Sequence, residues 1–264
     1  MAEQGYKWNA ADYAEQSAGQ QKWAEELLAK LNLSGSEYIL DLGCGDGKVS
    51  CTLAKNVAQG KVVAIDLSED MIALAQTRYA DIENISFHQS NATDFAYTET
   101  FDAIFSNAAL HWVHDHSKVL NNCHQSLRKG GKILFQMGGK GNAKEFIAEI
   151  FRVMGLEKWN SYFVDFDFPF SFNSIENYTA WLKQTGFKAR RVELINKDIQ
   201  HEGKEGLVGY FRTAWLPYTT AVPENKREEF INDVVDCYLE TYPVDCHGYT
   251  HINMVRLEVE AIKI

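Results

Sequence analysis

Apolar positions along this chain recur with two periods. In residues 20–31, Trp23, Leu27, Leu28 and Leu31 fall on one side of a helix. Tyr38-Ile39-Leu40 is a short continuous apolar run and predicts a buried strand. Residues 47–58 return to helical spacing, and residues 61–65 form a Val-rich strand. Ser68-Glu69-Asp70-Met71 opens the next helix, which runs to about Tyr79. Ser68 is its candidate N-cap, and the two acids favour the positive end of its dipole. Strands follow at 85–88 and 101–105. Residues 118–127 then predict a helix closed by a tight turn at Lys129-Gly130-Gly131, and 132–137 another strand. Helices of this length between strands make βαβ units, hence a doubly wound α/β sheet, mostly parallel.

The second half is less regular. Helices are predicted over 142–154 and from Ser174 to Thr185-Gly186, and a strand over 190–195. Residues 205–240 read as mostly helical, broken at Pro217 and Pro223, and 251–262 as a long strand. No repeat, low-complexity stretch or linker divides the chain. The expectation is one domain over 1–264. Within it, N-terminal helices would occupy 1–36, a core 37–137, and further strands with a helical cap (about 203–243) 138–264.

Composition narrows the partners. Of 264 residues 45% are hydrophobic, enough for a substantial core. The net charge of -10, with no extended Lys/Arg run, argues against nucleic acid. The first sixteen residues lack the apolar core of a signal peptide. No apolar run approaches the ~20 residues of a membrane-spanning helix. Five irregularly spaced cysteines, with no C-x-x-C pair, read as reduced thiols. These features predict a cytoplasmic protein with no membrane partner, a monomer or a homodimer.

The strongest chemical signal is Ile39-Leu40-Asp41-Leu42-Gly43-Cys44-Gly45-Asp46-Gly47, a buried strand running through a glycine turn into a helix. Parallel sheets bind ligands at the carboxyl ends of their strands. A dinucleotide fingerprint would place its third glycine at 48, where Lys48 stands. A phosphate-binding loop would need Ser or Thr after Gly47-Lys48, where Val49 stands. A carboxylate at Asp41 suits a cation better than a pyrophosphate. Asp66 ends the second strand, about 20 residues after the turn, where an acid can hold a ribose.

A second cluster, His111-Trp112-Val113-His114-Asp115-His116, has the composition of a metal site but not its spacing. His111 and His114 can share a helical face while His116 points elsewhere, so no metal is expected. Asp115 is a candidate N-cap, with His114 and His116 exposed beside it. His111 and Trp112 are candidate pocket walls.

The series Asp41-x-Gly43-x-Gly45-x-Gly47, Asp66, Phe101-Asp102-Ala103-Ile104-Phe105-Ser106 and Leu127-Arg128-Lys129-Gly130-Gly131 resembles the motifs of the class I S-adenosylmethionine-dependent methyltransferases. The resemblance covers residues 38–137. It implies a Rossmann-like seven-stranded sheet with one antiparallel strand, supplied here by 251–262. It also implies S-adenosylmethionine as cofactor and S-adenosylhomocysteine as product. By position, Asp41, Gly43, Cys44, Gly45, Asp46 and Gly47 would surround the methionine part. Asp66 would take the ribose hydroxyls, and Leu67 and Met71 would pack on the adenine. Asn91-Ala92 stands where the family has Asp-Ala, so Asn91 would offer its carbonyl to the adenine amino group. Ser106 and Asn107 would lie near the sulfonium.

Leu110-His111-Trp112-Val113, with Trp8-Asn9-x-x-x-Tyr13 and Ser17-x-x-Gln20, is similar to the trans-aconitate and juvenile hormone acid methyltransferases. That resemblance implies a small-molecule carboxylate acceptor, with Tyr13, Gln20 and Trp112 at the substrate. Arg212-Thr213-x-Trp215 falls in similar order to the trans-aconitate group, placing Arg212 and Trp215 there too. A carboxylate of pKa ~4 is ionised at neutral pH and needs no general base. A nitrogen, carbon or hydroxyl acceptor would instead use His111 as base. A cofactor-binding module without catalysis is a more distant alternative.

Overall fold

The structure, a computed structural model, describes residues 18–264, with side chains from residue 23 onward. Helix α1 (Ala18–Ala29) leads into β1 (Tyr38–Leu42), α2 (Lys48–Asn56), β2 (Lys61–Asp66), α3 (Glu69–Arg78), β3 (Ile85–Gln89) and β4 (Phe101–Asn107). A 3-10 turn at Leu110–Trp112 precedes α4 (His116–Ser126), β5 (Leu127–Gly138) and α5 (Lys144–Met154). Then come α6 (Ile175–Gln184), β6 (Phe187–Glu202), α7 (Gly203–Ala214), α8 (Leu216–Thr220), α9 (Glu224–Thr241) and β7 (Tyr249–Lys263). The seven strands form one sheet in the order β3-β2-β1-β4-β5-β7-β6. β1, β2, β3, β4 and β5 pair in parallel, and β7 runs antiparallel to β5, as the class I resemblance implies. Among the described residues, no helix is long and apolar enough to cross a membrane.

The chain divides into two compact units. One comprises Ala18–Lys140, Phe170–Ile195 and Arg256–Ile264, and it carries the glycine turn. Its strands alternate residues between two faces. Leu40, Ile104, Ile133 and Phe135 share one core with Val119 and Leu120 of α4 and Leu182 of α6. Ile39, Ala103, Phe105 and Leu134 face Leu27, Leu31, Leu53 and Val57 of α1, α2 and their flanks. The other unit includes Gly141–Pro169 and Asn196–Val255 and holds α5, α7, α8 and α9. Its core is aromatic: Phe146 meets Phe211, Trp215 and Tyr238 edge-on at 5.1–5.5 Å, and Trp159 meets Phe230. Pro217 stands in the first turn of α8, where its missing N–H breaks no helical bond.

Two local expectations change. The tight turn expected at Lys129-Gly130-Gly131 is an excursion within one strand. Helix α4 passes directly into β5, and the register against β4 jumps from Phe101–Leu127 to Ala103–Lys132. Gly130 supplies the positive φ of 77°. Arg128 closes the excursion with two bonds to the Asp102 carboxylate, 2.8 and 2.9 Å. Strand β6 extends well beyond 190–195 at both ends. Its polar residues hid it, because a strand at the sheet edge needs few apolar positions.

Candidate functional site

Strands β1, β2 and β4 pair in parallel, so the glycine turn follows, and Asp66 and Asn107 stand at, one common set of carboxyl ends. At the end of β1 the N–H groups of Gly43 and Cys44 both donate to the Ile65 carbonyl, at 2.8 and 3.0 Å. Gly43, Gly45 and Gly47 all have positive φ. A Cβ on Gly43 would stand 2.1 Å from the Ala109 Cβ, whereas one on Gly45 would meet nothing within 4 Å. The first glycine therefore serves packing, and the second leaves open space beside the backbone.

Two acids flank this space. Asp41 is buried, 2% exposed, and accepts a 2.6 Å bond from the Ser50 hydroxyl. Burial pushes its carboxyl up to about 7; the Ser50 bond opposes the rise and the nearby Asp66 adds to it. Asp66 ties the turn to α3, accepting from the Gly45 N–H and the Ser68 N–H at 2.9 Å each. Burial raises its pKa despite these bonds. Buried carboxylates in low dielectric are stabilised by a cation. Leu67 is 43% exposed, Met71 is buried, and Ser68 caps α3 as expected.

Several expected contacts are committed elsewhere. Asp46 forms an ion pair with Arg78 and caps the Lys48 N–H, so its carboxylate braces the outside of the turn. Cys44 is buried, and its thiol is pushed up by burial. The Asn91 carbonyl oxygen already accepts from the Thr93 N–H and hydroxyl, at 2.9 and 3.0 Å, which uses both lone pairs. Only its amide N–H groups remain to offer; Ala92 beside it is half-buried. Ser106 is fully buried and donates to the Leu42 carbonyl at 2.7 Å, so it clasps β4 to β1. Its neighbour Asn107 faces the other way, and its Oδ1 is buried with no partner among the described residues.

Beyond Asn107 the backbone is strained. Ala108 holds φ at 55°, fixed by its N–H to the Gln136 carbonyl at 2.8 Å. Such strain costs on the order of 1–3 kcal/mol and gathers at functional sites. The 3-10 turn then sets His111 and Trp112 against Phe170 and Phe172. The His111 ring lies 5.6, 5.8 and 6.2 Å from Trp112, Phe170 and Phe172, and Trp112 lies 4.6 Å from Phe170. The Ser171 N–H donates to the His111 carbonyl at 2.7 Å. Burial drives the His111 pKa down to about 3, with the Arg256 cation and then His116 contributing.

The three histidines diverge. His114 is exposed, and Asp115 caps α4 through the Lys118 N–H. His116 is not exposed as expected but 1% accessible. Its Nδ1 bonds the Tyr178 hydroxyl at 2.6 Å, and its ring stacks on Trp181. Those partners lie on α6, some 60 residues away in sequence. Among the described residues, no cluster of His, Cys, Asp or Glu could hold a metal ion.

The remaining expectations fall outside this cluster. Tyr13 lies outside the described residues; Gln20 lies on α1, its side chain outside the description. Arg212 forms a bidentate pair with Glu228, at 2.6 and 2.7 Å, so its fork already grips a carboxylate of its own unit. Trp215 is 3% exposed, packed with Phe146 and Tyr218 in the aromatic core. The structure places Phe170, Phe172 and the buried Arg256 near His111, and none of the three was a candidate site residue. Arg256, Glu258 and Glu260 alternate along the otherwise apolar stretch 254–262 of β7, which was the available signal.

Comparison with known proteins agrees with this geometry. Residues 40–135 match the family described as a methyltransferase domain. An uncharacterised methyltransferase of Schizosaccharomyces pombe is 32% identical over 240 residues, covering 87% of this chain and 90% of its own. Trans-aconitate 2-methyltransferase of Mycolicibacterium gilvum is 27% identical, covering 96% and 98%. Among solved structures, the YcgJ protein of Bacillus subtilis aligns with a TM-score of 0.63 at 16% identity, covering 92% and 98%.

Proposed function

We propose that this chain, which belongs to the class I S-adenosylmethionine-dependent methyltransferases, O-methylates a carboxylate of a small organic acid. The state of His111 carries the reading. Burial, with the Arg256 cation beside it, pushes its pKa down to about 3 and favours the neutral ring, which makes it a weak base. An amine or hydroxyl acceptor needs a base with a pKa near that pH. A carboxylate is already ionised and needs none. The M. gilvum relative, named for trans-aconitate, a tricarboxylate, supports the same choice.

When bound, S-adenosylmethionine supplies an activated methyl group on a sulfonium. The open space at Gly45, the buried acids Asp41 and Asp66, and the unpartnered Asn107 Oδ1 fit a polar, cationic cofactor of this kind. Asp41 and the backbone of Gly43, Cys44, Gly45 and Gly47 would hold its methionine part. Asp66 would accept from the ribose hydroxyls, Leu67 and Met71 would flank the adenine, and Asn91-Ala92 would shape its edge. Asn107 would offer its carbonyl nearest the reacting end. Gln20 and Trp112 each carry an N–H that can orient the acceptor. The rings around His111 would keep water from an acceptor carboxylate placed beside them. Free thiols at Cys44, Cys51, Cys123, Cys237 and Cys246 support a reducing, cytoplasmic setting.

The test is turnover of labelled S-adenosylmethionine against a panel of small carboxylic acids, trans-aconitate among them, counting base-labile methyl ester. Labile ester is expected, with the rate falling in Gln20→Ala and Trp112→Phe. Turnover confined to amines or phenols and abolished in His111→Ala would overturn the reading.

A further inference from the structure

We propose that the unit carrying the glycine turn has a second ligand site, on the face of β2 and β3 near the amino ends of the strands. It is built for a small amphipathic anion, one acidic group on a compact apolar body. The site stands whichever atom the enzyme methylates.

The cavity exists because one connection lacks a helix. The connections β1–β2, β2–β3 and β4–β5 each carry a helix, whereas residues 90–100, between β3 and β4, form irregular loop. Side chains along a strand alternate between faces. Val62, Ala64 and Phe87 point to the side that α2 and α3 cover. Lys61, Val63, Ser86 and His88 point to the other side, with Tyr38 beside Lys61 and Ser86 beside Val63 across the parallel ladders. There the loop lays Phe95 and Tyr97 against the core. Between the sheet face and Tyr97, Thr100 and Phe101 a cavity of about 400 Å³ remains. Small-ligand pockets span roughly 300–1,000 Å³.

The cavity is preformed. The Glu99 and Thr100 N–H groups donate to the Gln125 and Ser126 carbonyls at 3.0 and 2.8 Å. The Ser126 hydroxyl donates to the Tyr97 carbonyl at 3.2 Å, and the Tyr97 ring meets Phe101 edge-on at 5.0 Å. The loop that forms the wall is therefore tied to the end of α4.

Charge and donors select the occupant. The chain has 36 acids against 26 lysines and arginines. The lining nevertheless holds Lys61 and His88 and, among the described residues, no Asp or Glu. Lys30, Lys118, Lys158, Lys204 and Lys263 pair with carboxylates; Lys61 pairs with none among the described residues. The Ser86 hydroxyl and the Tyr97 phenol have no hydrogen-bond partner there either, and burial raises the Tyr97 pKa, which keeps it a donor. Asp102 accepts from the Tyr38 N–H at 2.8 Å, but Arg128 neutralises it and lays its guanidinium 5.3 Å over the Tyr38 ring. Val63, Phe101 and the tyrosine rings are apolar surface. Ammonium and hydroxyl donors beside apolar walls suit a carboxylate or phosphate on an apolar body. Lys61 begins β2 and Asp66 ends it, about 16 Å away in extended chain, so the anion does not compete with the cofactor.

The test is calorimetric titration of naphthoate and octanoate into the enzyme saturated with S-adenosylhomocysteine, beside naphthamide and naphthylmethylamine. Naphthoate is expected to bind at least about tenfold more tightly than its amide, the size of one charge-assisted hydrogen bond at a half-open site. Lys61→Gln should bring naphthoate to the level of the amide. Ser86→Phe, which puts a ring in the cavity, should weaken both. The amine should bind no better than the amide. Binding of neither acid at millimolar concentration overturns the site. So does tighter binding of the amine, which assigns the cavity to a cation. Naphthoate affinity unchanged in both variants also overturns it, because the acid then sits elsewhere, as in the acceptor pocket. Each of these failures leaves carboxyl methylation standing, since that reading is judged by ester formed in the turnover screen.

Discussion

Gly43 and Gly45 stand two residues apart in one turn and predict opposite behaviour on gaining a methyl group. At Gly45, with φ 54° and no atom within 4 Å of the added Cβ, Gly45→Ala meets only the left-handed backbone cost, about 1–2 kcal/mol. For a chain of this size that lowers Tm by roughly 2–8 °C. Its methyl group would stand in the space assigned to the cofactor, and affinity for S-adenosylmethionine should fall at least about tenfold. At Gly43 the same substitution adds a 2.1 Å approach to the Ala109 Cβ, and neither atom has a rotamer that relieves it. Overpacking of about 1–3 kcal/mol joins the backbone cost, roughly 2–5 kcal/mol together. That is a large share of a typical folding free energy. Thermal unfolding with and without cofactor separates the two. Cofactor at 100 times Kd should stabilise wild type by about 2.7 kcal/mol, and that rise should shrink in Gly45→Ala. Wild-type cofactor affinity in Gly45→Ala would refute the assignment of that space.

Two further predictions concern protons. Asp41 is raised from 3.8 to about 7, and a bound cation would lower it again. Cofactor affinity should be flat above about pH 7 and fall by up to tenfold per unit below it, with proton release on binding; calorimetry in buffers of different ionisation enthalpy reads this, and Asp41→Asn should flatten it. His116 is depressed from 6.5 to about 4, so the fold holds it neutral. That contribution to stability is complete above pH 6.5 and lost toward pH 4. His116→Phe should therefore reduce the acid slope of denaturant-measured stability by about one proton, while losing about 1–3 kcal/mol at pH 7 with the Tyr178 bond.

The cofactor half of the site was legible because its signals are local. Asp41, the glycine turn, Asp66 and the Ser68 cap lie within 28 consecutive residues, and each uses backbone geometry that its own residue type dictates. What resisted reading depends on partners distant in sequence. His116 sits in a polar hexapeptide and reads as solvated; Tyr178 and Trp181, distant in sequence, pack against it. Ser106 and Asn107 are equally polar neighbours, and strand alternation decides that one clasps Leu42 while the Oδ1 of the other is buried with no partner among the described residues. Arg212 looked suited to a carboxylate and has one, on Glu228.

The strand order β5-β7-β6 sets a condition on how the chain is made. Strand β6 leaves the ribosome before β7, yet its place in the sheet is beside β7. During synthesis of the intervening 46 residues, Gly203 to Gly248, its amides and carbonyls have no native neighbour. Sixteen residues of extended chain would then stand as an open edge, the kind that recruits other chains. The polar alternation of 196–202 serves as protection for that interval. Substituting apolar residues at the exposed positions should therefore lower soluble yield out of proportion to any change in the stability of the finished fold.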